Sequence, residues 1–340
     1  MLRVGIIGAG LIGGKRAAQM RGGRLVAVAD QVPERARALA AQHGARVEAE
    51  WDRLARRPDV DAVIVATTND ALAGCARAAL EAGKHVLVEK PAGRGPAEVA
   101  SLVEAEKASG RVLRVGFNHR FHPGLARAKE LLASGAVGPL MHIRARYGHG
   151  GRPGYDREWR ADPERAGGGE LLDQGVHLID LSRWMAGELQ LQAGAISTSF
   201  WQMPVEDNGF LLLRSPDGDR RAWLHASCTE WKNLFDFEVF GRTGKIQVFG
   251  LGRSYGVEEL RVYRMKPEMG PPETEIVQFP GEDASWQAEF DAFLAELSGQ
   301  ATPIARASDA LAAVELVHQL YRQEGAAWAH PPAPPRKERP

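Results

Sequence analysis

Cysteine is scarce. Only Cys75 and Cys228 occur in 340 residues, too few for a disulfide framework or a four-ligand zinc site. That fits a reducing compartment and leaves no expectation of a metal centre. Net charge is missing too, with 43 basic residues against 43 acidic ones, so the overall balance points to neither nucleic acid nor an anionic membrane nor a polyanionic partner. No apolar run approaches bilayer-spanning length, and Gly8 and Gly10 arrive too early for a signal-peptide hydrophobic region. A cytoplasmic location is the expectation. No internal repeat is visible. With 44% hydrophobic and 25% charged residues, the chain reads as an ordinary globular protein whose length suggests two domains and whose partner is a small molecule.

The first half alternates strand and helix signals. Leu2 to Ile7 is a short apolar strand, and it runs directly into Gly8-Ala9-Gly10-Leu11-Ile12-Gly13 and a helix-like stretch. In that setting the first glycine permits a tight turn, the second lets a pyrophosphate approach the backbone, and the third allows close helix–strand packing. A second strand ends in Asp30, whose carboxylate suits the adenosine ribose hydroxyls and would repel a 2′-phosphate. NAD is therefore the expected cofactor, with NADP less favoured. Arg35 and Arg37 follow in a helical context, where they are either a solvated face or partners for such a phosphate. Further strands end in Thr67, Thr68 and Asn69 and in Glu89-Lys90-Pro91. The fold class expected is α/β with a doubly wound parallel sheet, and ligands in such sheets sit beyond the carboxyl ends of the strands. These residues thus face a bound nicotinamide. Pro91 biases Lys90 to extended geometry, which aims it across the strand tip.

The second half opens with a helix signal after Pro123 and a strictly alternating strand from Met141 to Tyr147. Its polar face carries His142, Arg144 and Arg146, and the next loop adds His149, Arg152, Arg157 and Arg160. This basic cluster either binds an anionic group of a substrate or is a solvated sheet face with local pairing to Asp156, Glu158, Asp162 and Glu164. A glycine run follows, Gly167 to Gly169, and leads into Asp173 and His177, one helical turn apart and therefore on one face. β-rich runs come next at 195–201, 210–214, 222–229, 235–240 and 245–249, with helices from about Ser285 and Ser308. Trp201, Trp223, Trp231 and Phe235 read as core or subunit-contact aromatics.

Taken in order, Gly8-x-Gly10-x-x-Gly13, Glu89-Lys90-Pro91, Gly116-Phe117-Asn118-His119-Arg120-Phe121, and Gly168-Gly169 through Asp173, His177 and Asp180 resemble the Gfo/Idh/MocA oxidoreductases. The resemblance implies an N-terminal NAD-binding Rossmann domain over 1–122. It further implies a C-terminal α/β domain over 123–328 with an open, mainly antiparallel sheet that contacts other subunits in a homodimer or homotetramer. Residues 329–340, proline-rich and charged, are expected to be a disordered tail. By resemblance, Lys90, Asp173 and His177 are the catalytic lysine, aspartate and histidine. The cofactor set is Gly8, Ala9, Gly10, Leu11, Ile12, Gly13, Asp30, Thr67, Thr68, Asn69, Glu89, Lys90 and Asn118. Lys90, Asn118, Arg146, Arg152, Arg157, Asp173 and His177 are expected at the substrate. One departure stands out: Leu72 occupies a position where the family often has histidine. His119 receives no catalytic role.

These expectations converge on hydride transfer between a secondary alcohol of a sugar, cyclitol or sugar derivative, possibly anionic or nucleotide-linked, and the nicotinamide. His177 takes the hydroxyl proton, Asp173 orients the imidazole, and Lys90 stabilises the developing alkoxide. Two alternatives stay open. One is an NAD-dependent glycosidase working through transient sugar oxidation; the other is a non-catalytic dinucleotide-sensing protein.

Overall fold

The computed structural model describes residues 1–329. The tail expected over 329–340 lies, beyond Ala329, outside the described residues. Among the described residues, strands β1 (Leu2–Ile7), β2 (Gly23–Ala29), β3 (Arg46–Glu48), β4 (Ala62–Val65), β5 (His85–Glu89) and β6 (Leu113–Gly116) form one parallel sheet in the order β3-β2-β1-β4-β5-β6. Between them run helices α1 (Leu11–Ala18), α2 (Pro33–His43), α3 (Trp51–Arg56), α4 (Asn69–Glu81) and α5 (Pro96–Ser109). The order reverses at β1, and crevices for ligands open at such switch points. The central strands are covered on both faces, which is why Ala62-Val63-Ile64-Val65 is apolar without alternation and buried throughout.

Helix α6 (Pro123–Ala133) carries the chain to a second sheet. This sheet comprises β7 (Leu140–Gly148), β8 (Gln190–Ser197), β9 (Asn208–Arg214), β10 (Arg221–Ser227), β11 (Leu234–Gly241), β12 (Gly244–Phe249), β13 (Glu258–Arg264) and β14 (Glu273–Phe279), in the order β14-β13-β12-β11-β7-β10-β9-β8. Every neighbouring pair is antiparallel except β7 with β10. Helices α7 (Pro163–Ala166) and α8 (Val176–Ala186) lie between β7 and β8 in sequence, and α9 (Ser285–Leu297) and α10 (Ala307–Gln323) follow β14.

This is the doubly wound sheet with a mainly antiparallel second sheet that the sequence predicts, with three differences of detail. Strand β8 begins at Gln190, before the apolar run taken as its signal, because its residues are largely exposed and need little hydrophobicity. Strands β13 and β14 gave no signal. The edge strand β14 is largely exposed and carries Glu273 and Glu275, and charges on an edge discourage further pairing. Helix α9 comes back across the molecule: Phe290 and Phe293 are buried with Val4, Ile6, Leu25, Val28, Ile64 and Leu87 of the first sheet. One face of the parallel sheet is therefore completed by residues near the far end of the chain.

Candidate active site

The phosphate-binding turn is built from close contacts. Gly8 has φ 97°, and a Cβ there would sit 2.4 Å from the Ala66 carbonyl oxygen; a Cβ on Gly13 would sit 1.9 Å from the Gly8 oxygen. A Cβ on Gly10 would meet nothing within 4 Å. The turn is thus shut against its own protein and open outward, the shape a pyrophosphate needs at a helix N-terminus. Asp30, at the end of β2, accepts a hydrogen bond from Ala9 N–H at 2.6 Å and another from Val32 N–H at 2.7 Å. These residues open onto a cleft of about 1760 Å³, lined also by Leu11, Ile12, Thr67, Thr68, Asn69, Glu89, Lys90, Asn118, Asp173 and His177. That volume exceeds the usual few hundred to one thousand Å³ of a small-ligand pocket and accommodates a dinucleotide together with a second molecule.

Lys90 follows β5, where Lys90–Pro91 is a cis peptide. Its Nζ donates to Asp173 Oδ1 at 2.5 Å and to the Asp173 carbonyl oxygen at 2.6 Å. Asp173 lies in a wide π-type turn, Leu171–Gly175, which runs straight into α8. Arg160 Nε reaches its other oxygen at 2.9 Å. Burial would raise the Asp173 pKa, but the Lys90 ammonium and the Arg160 guanidinium outweigh it and hold the carboxyl below its ordinary range. Here the shared-face expectation needs correction. Among the described residues no hydrogen bond joins Asp173 to His177, because the π turn replaces the α-helical spacing and two cations offer the carboxylate stronger partners. Arg160, which the sequence placed in a diffuse basic cluster, is in fact a partner of Asp173. Its sequence signal, besides that cluster, is the pair Trp159-Arg160, which resembles a family loop that approaches the cofactor.

His177, on the first turn of α8, is 3% exposed and its Nδ1 is buried without a partner. The nitrogen available to the cleft is therefore Nε2. Burial, then the neighbouring His119 and Lys90, pushes its pKa well below the usual histidine value, so it stands neutral. His119 lies beside it, also buried and also shifted well down, by burial first. His149 and His122, which also line the cleft, have partners: His149 Nδ1 accepts from Gly151 N–H at 2.9 Å, and His122 Nδ1 meets Glu258 at 2.9 Å.

Other expected residues are placed as follows. Asn118 Nδ2 donates to Ser285 Oγ at 2.8 Å, and buried Asn69 donates to the Ala166 carbonyl oxygen at 2.9 Å. Glu89 is held by Arg16 at 2.5 Å. Arg152 lines the cleft and pairs with Glu158 at 2.7 Å. Arg146 instead pairs across the sheet with Asp236 at 3.2 Å, and neither it nor Arg157 is among the residues lining the cleft. Leu72, in place of the family histidine, is fully buried in the core. No group of three or more histidine, cysteine or acidic residues positioned to hold a metal occurs among the described residues.

Comparison with known proteins gives a consistent result. Residues 2–117 match the family model "Oxidoreductase family, NAD-binding Rossmann fold", and residues 125–247 match "GFO/IDH/MocA C-terminal domain". A levoglucosan dehydrogenase of Pseudarthrobacter phenanthrenivorans is 33% identical over 185 residues, 54% of this chain and 47% of that protein. The chain thus spans about half the length of that relative. A 1,5-anhydro-D-fructose reductase of Ensifer adhaerens is 33% identical over 255 residues, 72% of this chain and 75% of that one. Among solved structures, a levoglucosan dehydrogenase in complex with NADH and L-sorbose superimposes with a TM-score of 0.85 at 25% identity, covering 95% of this chain and 97% of that one.

Proposed function

From the premise that this chain belongs to the GFO/IDH/MocA oxidoreductase family and carries its NAD-binding Rossmann domain, we propose that it is an NAD-dependent dehydrogenase acting on a secondary alcohol of a sugar, cyclitol or sugar derivative. The observation that carries this reading is the convergence of Lys90, Asp173 and His177 on the cleft that the phosphate-binding turn opens into. When bound, NAD⁺ supplies the hydride acceptor. Its pyrophosphate would lie against Gly10 at the N-terminus of α1, with Gly8 and Gly13 closing the turn behind it, and Asp30 would select against a 2′-phosphate.

The residues then divide the proton work. His177, neutral and with Nε2 toward the cleft, takes the hydroxyl proton. Lys90 donates a hydrogen bond to the same oxygen and stabilises the charge it develops. Asp173 acts on Lys90, not on the imidazole: by accepting from Nζ at 2.5 Å it fixes where the ammonium sits. Arg160 keeps that carboxylate ionised. Run in the other direction, the same groups return a proton to a carbonyl oxygen as it is reduced. Arg152, at the lining of the cleft and paired with Glu158, is the residue proposed to meet an anionic or nucleotide-linked substrate. The outward face of the second sheet, with exposed Trp223, Phe249 and Ile276, is the surface proposed for a homodimer or homotetramer.

The test is a screen of NAD⁺ reduction at the NADH absorbance across inositols, aldoses, uronates and nucleotide sugars. Turnover with at least one of them in the wild type, and none in His177→Ala, is expected. Arg152→Ala should raise KM for an anionic substrate far more than for a neutral one. Equal effects would remove the anionic preference while leaving the dehydrogenase reading intact.

A further inference from the structure

His119 has no part in the proton work described above, yet the fold fixes it closely. Its ring lies face to face with His177, the centroids 3.8 Å apart and the planes within 28°. Phe117 meets the His177 ring edge-on at 5.6 Å. The two backbones are clamped together: Arg120, next to His119, makes a buried two-pronged pair with Asp180, three residues after His177, at 2.8 and 2.5 Å. Such a fork fixes orientation as well as distance.

The tautomer of His119 is also fixed, by a chain of hydrogen bonds with one direction. Asp283 Oδ1 accepts from Ser285 Oγ at 2.5 Å, and Ser285 Oγ accepts from Asn118 Nδ2 at 2.8 Å. That leaves Asn118 Oδ1, an acceptor only, facing His119 Nδ1 at 3.3 Å. The proton of neutral His119 is therefore on Nδ1. Its Nε2 is a bare lone pair, buried without a partner; Nδ1 of His177 is likewise buried without a partner and carries that ring's proton when Nε2 is the base. An unsatisfied buried polar atom costs about 1–3 kcal/mol, and two on adjacent rings call for a function.

We infer that His119 is a positioning residue for His177: its stacked ring fixes the plane of the base and bars a second charge, so that the pair carries at most one positive charge. This rests on the reading of His177 as the proton acceptor. Two imidazolium rings at 3.8 Å would repel strongly in a buried site, whereas one imidazolium on a neutral ring is favourable. When His177 takes the hydroxyl proton, it becomes a cation against the face of a ring that burial, with His122 and Lys90 nearby, keeps neutral and whose tautomer the Asn118–Ser285–Asp283 chain sets. The other groups around it are His122 from the same turn with its partners Glu258 and Asp283, Lys90 from the end of β5, Asp173 from the π turn, and Tyr147 of β7 backed by Tyr255. None of these lies face to face with His177, so removing the stack has an effect they do not replace.

The experiment is a pH titration of the histidine side chains by ¹⁵N NMR in the NAD-loaded protein, with His177→Ala assigning the His177 signal, alongside steady-state kinetics. Wild type should show His119 as the Nδ1–H tautomer and His177 neutral throughout pH 6–8. His119→Phe keeps a buried ring but removes the imidazole, and should move the His177 midpoint upward by about one unit, tenfold in proton affinity. His119→Ala should lower kcat by about ten- to hundredfold with KM changed less than about threefold. Ser285→Ala, which breaks the chain without opening the stack, should shift His119 toward the other tautomer. An Nε2–H tautomer in wild type, or a His177 midpoint unmoved in both His119 variants, overturns the proposal. The titration needs no substrate, so it decides on the stack by itself; the dehydrogenase reading fails separately, if wild type reduces NAD⁺ with none of the screened alcohols.

Discussion

Asp173 has one carboxylate and two cationic partners, and that choice sets the chemistry of the residues around it. Because Lys90 is bonded to Asp173 at 2.5 Å, Lys90→Met should reduce turnover by at least about 10²-fold while leaving NAD affinity, read by calorimetry, within about threefold. A proportional loss of NAD affinity would make Lys90 a cofactor anchor instead. The two neutral histidines make a second prediction. Their folded pKa values lie below the unfolded value of about 6.5, so the stability they contribute is complete above that pH and is lost as pH falls below it. Each then removes up to about 1.4 kcal/mol per pH unit. Glu206 and Glu289, whose carboxyls burial raises to about 7, act in the opposite sense over the same window, so the comparison must be between variants. In His119→Phe/His177→Phe the fall in urea stability from pH 6.5 to 5 should be smaller than in wild type. An unchanged slope would show that the histidines are not held neutral.

Among the elements, what the sequence reveals follows what each element buries. The strands of the parallel sheet are enclosed and read as apolar runs, and the phosphate-binding turn is legible because its glycines answer to contacts such as Gly13 against the Gly8 oxygen. The edge strand β14 is silent because it buries almost nothing. The π turn at Leu171–Gly175 was also hidden: an inserted widening leaves no mark in the spacing of residues, so Asp173 and His177 looked like partners when each had found another. The motifs bring Lys90 and Asp173 to one expected site but pair Asp173 with His177, whereas the Lys90–Asp173 bond, Arg160 and the His119 stack depend on the π turn and on where loops 149–162 and 117–122 are folded back. The turn can be tested directly. A Cβ on Gly169 would lie 2.0 Å from the Glu206 carbonyl oxygen, so Gly169→Ala must displace backbone. It should cost roughly 1–3 kcal/mol in unfolding free energy and lower kcat together with it; unaltered stability and rate would mean that the turn tolerates a shift.

For the whole molecule, the decisive contact is between the start of the chain and its last third. Arg16 is 2% exposed, yet its guanidinium lies over Trp286 at 4.5 Å and is paired with both Glu89 and Glu289. Glu89 precedes Lys90, so the cation ties the end of β5 that carries Lys90 to helix α9. Arg16→Leu leaves two buried carboxylates facing one another, and should cost about 3–5 kcal/mol by urea denaturation; a loss below about 1 kcal/mol would show that the pair is dispensable. For the same reason residues 1–122 alone should fail to give a cooperative unfolding transition, since Phe290 and Phe293 no longer cover the face formed by Val4, Ile6 and Leu87.

The two hydrogen bonds of Asp30 bear on how this protein could change cofactor. The carboxylate proposed to meet the ribose is also what holds Ala9 N–H, in the glycine turn between β1 and α1, at 2.6 Å. Replacing it with serine or glycine to admit a 2′-phosphate removes a repulsion and, in the same stroke, an anchor of the loop that receives both dinucleotides. An evolutionary or engineered path to NADP therefore cannot run through Asp30 alone: the first step weakens both cofactors, and only a second, one that pins Ala9 again, makes the exchange worthwhile.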